Sequence, residues 1–337
     1  MSHSPSLYVV DDLRFDAHVP PAAHADSPLR LQAMRAAFEG VVATRVAARE
    51  ADKCELESVH EEGYVERVLA LRGEGMELAP ETFVSPGSVD AAVLAVGSCI
   101  ALVERVQSAP NSVGFALVRP PGHHATANSA GGFCLFNNVA AAASFLVANG
   151  LKRVAIVDWD VHHGNGTQDI FYRDASVFYI SVHQQPCFPG TGFAHETGQD
   201  AGAGTTLNLP MEPYGGDDAC MAIWEQKLLP TLRAFAPEAI LVSAGYDASE
   251  RDPLAEMRFT PAAYAWMAAQ LWLIAKDLTG GRLSFVLEGG YDLEALQRGL
   301  RATLAGLGLV QSEPAFPFAA GESRATHEIP QILRNPE

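Results

Sequence analysis

Five short apolar runs punctuate the chain: SVGFALV (112–118), RVAIVDW (153–159), VFYISV (177–182), EAILVSA (238–244) and LSFVLEG (283–289). They are rich in β-branched and aromatic residues and lack the polar alternation of a half-exposed strand, which predicts parallel strands covered on both faces. Helical stretches lie between many of them. The clearest spans Asn137 to Gly150, with Asn137 or Asn138 as N-cap and Gly150 as the stop. Residues 88–107 and 261–279 also read as helices. Strands alternating with helices predict an α/β fold with a mainly parallel central sheet flanked by helices. No repeat, low-complexity tract or long Pro/Ser-rich linker divides the chain. Residues 1–337 are therefore read as a single domain, with a looser tail after about Gly308 where prolines and polar residues accumulate.

Each run opens into a segment of a different character. SVGFALV leads into RPPGHHA, RVAIV into DWDVHHGNG, and VFYISV into HQQPCFPGTG. EAILVSA continues as GYDASERDP, and LSFVLEG as GYD. Ligands of open α/β sheets sit outside the carboxyl ends of the strands. Five such ends rich in His, Asp, Tyr and Gly would converge on one crevice there.

Composition narrows the class. The chain has 337 residues, 48% hydrophobic and 19% charged, enough for one large globular domain with a sizeable core. Its apolar runs are broken well short of the ~18 residues a membrane span needs, so no membrane partner is expected. The N-terminus, MSHSPSLYVVDDLRFD, lacks the basic-then-apolar order of a secretory signal. A net charge of −17 argues against a nucleic-acid partner. Such a surface keeps a protein soluble, and it also suits cationic substrates. Five cysteines (Cys54, Cys99, Cys134, Cys187 and Cys220) are scattered with no CxxC pair, which suits reduced thiols in the cytoplasm.

The strand ends carry metal-binding chemistry. Asp160 and His162 stand two apart, so in an extended chain their side chains point the same way. Asp247, at another strand end, can complete a set of one histidine and two carboxylates. Three protein ligands leave a position open for water, as a catalytic zinc site requires. An isolated D-x-H would more simply hydrogen-bond at a strand end. The parallel placement of Asp247 and the paired histidines favours a metal. The donor set is harder than a thiolate site, so Fe2+ or Co2+ would also suit it. The same alternation points His163 away from the metal and leaves it a structural role.

Acid–base chemistry is encoded next to it. His123 and His124 follow Arg-Pro-Pro-Gly, a rigid turn able to aim both imidazoles into the crevice, and histidine suits proton transfer near neutrality. Each ring needs an orienting partner, for which Asp158 and Asn165 are candidates. The histidine paired with the charged Asp158 should be the more readily protonated. Tyr291 follows two glycines in Glu288-Gly-Gly-Tyr-Asp292. Its phenol could donate to a carbonyl oxygen opposite the metal, although taken alone it reads as a packed turn tyrosine.

Together these segments resemble the zinc-dependent histone deacetylase superfamily, which includes bacterial acetylpolyamine amidohydrolases and has the arginase–deacetylase fold. The matching segments are H-x5-R (His24 to Arg30), VHEEGYVERV (59–68), RPPGHHA (119–125), GGFCLFNNVA (131–140), DWDVHHGNGTQD (158–169), PGTG (189–192), SAGYDASERDP (243–253) and LEGGYDL (287–293). They appear in the family's order within a core of about residues 24–308. The resemblance implies Asp160, His162 and Asp247 as zinc ligands, His124 as general base, His123 as electrostatic support and Tyr291 as the carbonyl-polarising tyrosine. Phe133 and Phe188 would wall a tunnel for an acyl-lysine-like chain, Gly132 would line it, and Arg30 would line an internal channel near the acetate. Asp158 and Ser181 match the side-chain ligands of a structural potassium ion, completed by backbone carbonyls of Asp160, His162 and Val182. Asn165 stands where some members carry aspartate, as in the class II and bacterial branch.

The implied activity is hydrolysis of a linear amide, releasing a short acyl group from a peptide or small-molecule acyl-amine. An arginase-like dimanganese site would need further carboxylates, but Gly164 and Ser249 occupy those positions. An inactive acyl-ligand-binding module is disfavoured because no expected active-site side chain is missing. Leu254 occupies a rim position where a polyamine-selective relative carries an acidic gatekeeper, which tilts the substrate towards acyl-lysine over acetylpolyamine. Glu256 or Asp252 could still supply negative charge at that rim. The first third shows no obvious room for the long dimerisation insertion of acetylpolyamine enzymes. Monomer and homodimer both remain open.

Overall fold

Eight parallel strands form the sheet that places the site. The computed structural model describes residues 4–21 and 24–311, so the expected tail lies almost wholly outside the described residues. In chain order the strands are β1 (Ser6–Val10), β2 (Thr44–Arg45), β3 (Met76–Ala79), β4 (Thr82–Val84), β5 (Ser112–Ala116), β6 (Val154–Asp158), β7 (Val177–Gln184), β8 (Thr206–Met211), β9 (Ala239–Ala244) and β10 (Arg282–Leu287). The main sheet runs β2-β1-β5-β10-β9-β6-β7-β8, while β3 and β4 form a separate antiparallel hairpin.

The five expected strands are present; β5, β6 and β10 release the last residues of their runs into loops, β9 ends with its run at Ala244, and β7 continues to Gln184. The ladders show their alignment: Val286 lies opposite Ala116 and Ser243, and Asp158 opposite Ser243 and Ser181. β5, β6, β7 and β9 are buried at every position, as unbroken apolar runs require. Of the sheet's three further strands, β2 is only two residues long, and β1 and β8 carry weaker signals. β1 is five residues followed at once by two aspartates, and β8 is an edge strand interrupted by Pro210.

The helices are α1 (Leu29–Ala37), α2 (Lys53–Leu56), α3 (Glu62–Leu69), α4 (Ser88–Gln107), α5 (Asn138–Ala148), α6 (Asn165–Phe171), α7 (Asp217–Ile223), α8 (Leu229–Phe235), α9 (Pro261–Leu278) and α10 (Leu293–Gly306). Asn137 caps α5 by accepting the Ala140 N–H at 3.0 Å. Thr260 caps α9, whose first residue is Pro261, a position where the missing N–H costs nothing. α4 and α5 pack on each other and on the sheet, while α9, α10 and α1 form a second packed group. No helix among the described residues is long and apolar enough to cross a membrane.

Candidate active site

The segment leaving β6 converges its side chains by a route that the strand pattern did not predict. β6 ends at Asp158, and the following residues bend. Asp158 Oδ1 accepts the Asp160 N–H at 3.1 Å, and Asp160 Oδ1 accepts the His162 N–H at 2.9 Å. Two successive side-chain turns therefore replace the extended chain expected for this pair. Asp160 and His162 meet through these turns, with His162 Nδ1 3.2 Å from Asp160 Oδ1.

Asp247 arrives on the loop after β9. Its Oδ1 accepts the Val161 N–H at 2.9 Å, whereas its buried Oδ2 has no hydrogen-bond partner and lies 3.3 Å from His162 Nδ1. One ligand atom each from Asp160, His162 and Asp247 fall within 4.8 Å of one another, all three residues buried. A buried, unpaired carboxylate oxygen is costly unless something else satisfies it. Glycine backbone lies against the carboxylates: a Cβ on Gly289 would strike those of Asp247 and Asp160, and one on Gly245 that of Asp160. Two carboxylates and one imidazole, approached this closely by glycine backbone, fit a divalent cation.

Electrostatics around this cluster are uneven. Burial alone would raise the Asp160 carboxyl, but the His123 and His162 imidazoles hold it well below its usual range. Burial and the neighbouring Asp160 push Asp247 upward instead. A cation placed between them would relieve that repulsion.

The two adjacent histidines receive different partners. His123 Nδ1 lies 3.0 Å from Asp158 Oδ2, and His124 Nδ1 lies 2.8 Å from Asn165 Oδ1. Burial disfavours charge on His123, yet Asp160 and Asp158 carry its pKa up to about 10. Burial, His123 and His162 push His124 well below the ordinary histidine value. At neutral pH the pair thus comprises one charged imidazole and one free to accept a proton.

Tyr291 is gripped through its backbone and its ring. Its N–H donates to Asp252 Oδ2 at 2.7 Å, and the Arg30 guanidinium lies 4.9 Å from its ring centre. Arg30 is fully buried, donating to the carbonyls of Gly290 (2.6 Å) and Glu288, and to Asp26 Oδ1 (2.6 Å). Asp26 also accepts from Arg119 Nε at 2.8 Å and faces His18 Nε2 at 3.2 Å.

An apolar satellite cluster stands over the site. Phe133 and Leu254 are its buried members, with Phe188 and Tyr291 packed against them. The Phe188 ring meets His124 edge to face at 5.0 Å, and Phe133 meets Tyr291 at 5.7 Å. Gly132 adopts φ +51°, and a Cβ there would collide with the His124 ring. Asp158 and Ser181 are direct neighbours on β6 and β7, with Ser181 Oγ 2.8 Å from His183 Nδ1. His163 bonds Thr191 and Gln168 through its two ring nitrogens at 2.8 and 3.0 Å.

One rim residue requires correction. Asp252 is only 4% exposed, and its oxygens accept the Leu254 and Tyr291 N–H groups at 2.9 and 2.7 Å, so it is not a surface charge. Burial and Asp247 raise its pKa to about 8. Glu256 is exposed and accepts from the Tyr214 hydroxyl at 2.9 Å.

Several supporting residues carry no clear mark in the sequence. Glu288 is fully buried at the end of β10 and accepts the N–H groups of Gly122 (2.7 Å) and His123 (3.1 Å), fixing the turn that carries the histidines. Tyr179 donates to Asp158 Oδ2 at 3.0 Å. The usable signal for Glu288 is an acid inside an otherwise apolar strand end. Asp26 and His18 leave no comparable trace.

Comparison with known proteins assigns the class. Residues 24–307 match the model of the histone deacetylase domain. The chain is 41% identical over 283 residues to the histone deacetylase-like amidohydrolase of Pseudomonas aeruginosa, covering 81% of this chain and 74% of that protein. It is 38% identical over 292 residues to a probable deacetylase of Archaeoglobus fulgidus, covering 86% of this chain and 80% of the relative. The crystal structure of the HDA15 HD domain superposes with a TM-score of 0.84 at 38% identity, covering 92% of this chain and 90% of that one. Among plant relatives the chain spans only 54% of histone deacetylase 10, chloroplastic, of Oryza sativa, and 58% of histone deacetylase 15 of Arabidopsis thaliana. The fold and site thus define a domain of the histone deacetylase class. The chain belongs to the histone deacetylase family.

Proposed function

We propose that the protein is a zinc-dependent deacetylase that removes acetyl or another short acyl group from an acylated amine such as N-acetyl-lysine. The supporting observation is the unpartnered Asp247 Oδ2, buried against His162 beside the histidine pair. Asp160, His162 and Asp247 would hold zinc, with Fe2+ or Co2+ as alternatives. Zinc bound there supplies Lewis acidity towards the acyl oxygen and eases deprotonation of water.

His124, oriented by the neutral Asn165 amide, takes the proton of the attacking water and returns it to the leaving amine. His123, paired with Asp158, keeps positive charge beside the developing anion. Tyr291 donates its phenol O–H to the acyl oxygen. Gly132, Phe133, Phe188 and Leu254 line the path of the substrate's alkyl stem, where each buried methylene contributes about 0.8 kcal/mol. Arg30, donating to Glu288 and Gly290 carbonyls, braces the tyrosine loop at the inner end, where the acetate would leave. Asp158 and Ser181, adjacent across the sheet, would hold potassium with the backbone carbonyls of Asp160, His162 and Val182. All five cysteines are free, which supports a reducing compartment such as the cytoplasm. Two relatives are chloroplastic by name.

The test is hydrolysis of a fluorogenic acetyl-lysine peptide before chelation, after it, and after zinc is restored. Failure of the zinc-loaded protein on every acyl-amine offered would leave a binding module as the reading. Comparing kcat/KM for the peptide, acetylputrescine and acetylspermidine fixes the substrate class, and a clear polyamine preference would reassign it. Tyr291→Phe should lower kcat by about 10²–10³ with little change in KM. An unchanged kcat removes Tyr291 from this role.

A further inference from the structure

The loop that carries Tyr291 poses a mechanical problem. Two glycines precede the tyrosine, and Gly290 sits at φ +116°, a region that leaves this backbone little intrinsic preference for one conformation. A phenol that must meet a developing oxyanion has to be held to within about 0.5 Å. Three grips compensate. The Gly289 N–H donates to Asp160 Oδ2 at 2.7 Å, and the Gly290 carbonyl accepts from Arg30 Nε at 2.6 Å. The grip on the tyrosine's own backbone amide is the Asp252 carboxylate at 2.7 Å.

Asp252 lies on a different loop, after β9, where its own N–H is tied to the Ser249 carbonyl at 2.9 Å. Its second oxygen accepts the Leu254 N–H at 2.9 Å. One buried carboxylate therefore joins the backbones of two residues whose side chains meet in the same apolar cluster over the site. Both its oxygens are engaged and only 4% of the residue is exposed, so a charge offered to substrate is excluded.

We propose that Asp252 is a positioning residue that clamps the Tyr291 amide to the Leu254 loop and so fixes the phenol for the transition state. The proposal rests on the deacetylase reading for its kinetic consequence, but the clamp itself is a statement about the backbone. The amide of Asp252→Asn keeps one acceptor oxygen and places an N–H2 group against the other backbone N–H, so one grip is lost.

Asp252→Asn should lower kcat on an acetyl-lysine peptide by about tenfold, the weight of one buried hydrogen bond. KM should stay within about twofold, with metal content retained, because the phenol acts after binding. In a Tyr291→Phe background the same change should alter kcat by less than about twofold, since the group being positioned is gone. Equal losses in the two backgrounds, or a change confined to KM, would overturn the proposal. Asp252→Glu keeps both carboxyl oxygens and displaces them by one methylene. It should show the same dependence on Tyr291 if the asparagine variant does not fold, and loss independent of Tyr291 would again overturn the clamp. Amide hydrogen exchange over residues 289–292 separates this idea from the activity reading. Faster exchange in either variant than in the parent supports the clamp even if the parent proves inactive, and unchanged exchange refutes it.

Discussion

Replacing Gly132 with alanine should displace the His124 ring. Gly132 has φ +51°, and the added Cβ would stand 2.6 Å from His124 Cγ and 3.0 Å from its Cβ. Carbon atoms sit comfortably at about 3.5–4.0 Å, so the ring must retreat by about 1 Å. That movement breaks the 2.8 Å alignment between His124 Nδ1 and Asn165 Oδ1. Misplacing a catalytic group by about 1 Å costs about 10²-fold in rate. The left-handed backbone adds about 1–2 kcal/mol of destabilisation for alanine, a few degrees in Tm for a chain of this size. Gly131 provides the matched control: it lacks a positive φ, and a Cβ there meets nothing within 4 Å. Both variants are assayed for metal content, Tm and kcat on an acetyl-lysine peptide. If Gly132→Ala retained kcat within about threefold of Gly131→Ala, the steric reasoning would be wrong.

Asn165→Asp places a carboxylate on the His124 ring, whose pKa is now held low by burial and then by His123 and His162. A raised pKa keeps the base protonated to higher pH, so the acid limb of the kcat/KM profile should move upward in pH. A limb that stays in place would show that His124 is not the titrating group. Asp26→Asn tests the buried cluster beneath the tyrosine loop. Burial opposes its charge, but Arg119, His18 and Arg30 hold the Asp26 carboxyl well below its usual value. Its folded pKa lies under the unfolded value of about 3.9, so its stabilisation is complete above that pH and is lost as pH falls through the folded value. Urea unfolding at pH 7 should show a loss of about 3–5 kcal/mol in the variant, narrowing in acid. The same loss at pH 7 and pH 3 would refute the linkage.

Much of this protein is legible along the chain because its signals are local. A mostly apolar run identifies β5, β6, β7, β9 and β10, since parallel strands covered on both faces are apolar along most of their length. A shared strand-end location brings Asp160, His162, Asp247, the histidine pair and Tyr291 to one edge of the sheet. Weaker local signals fail for equally local reasons, as with the proline-broken edge strand β8 and the short β1. The bend after Asp158 is invisible to strand alternation, which says nothing once side-chain turns take over the backbone.

The sequence by itself determined the α/β class, the strand ends that bear the chemistry and the residue types gathered there. Only the tertiary structure decided that β10 lies between β5 and β9, and with it that Glu288 reaches the amides of Gly122 and His123. The same holds for Arg30 under the Gly290 carbonyl, for Arg119 on Asp26, and for Asp252 on the Tyr291 amide, partners 260, 93 and 39 residues apart. A hydrophobic run carries its burial in its own composition. A buried charge survives only through the partner that satisfies it, and chain order does not name that partner until the sheet has closed around it.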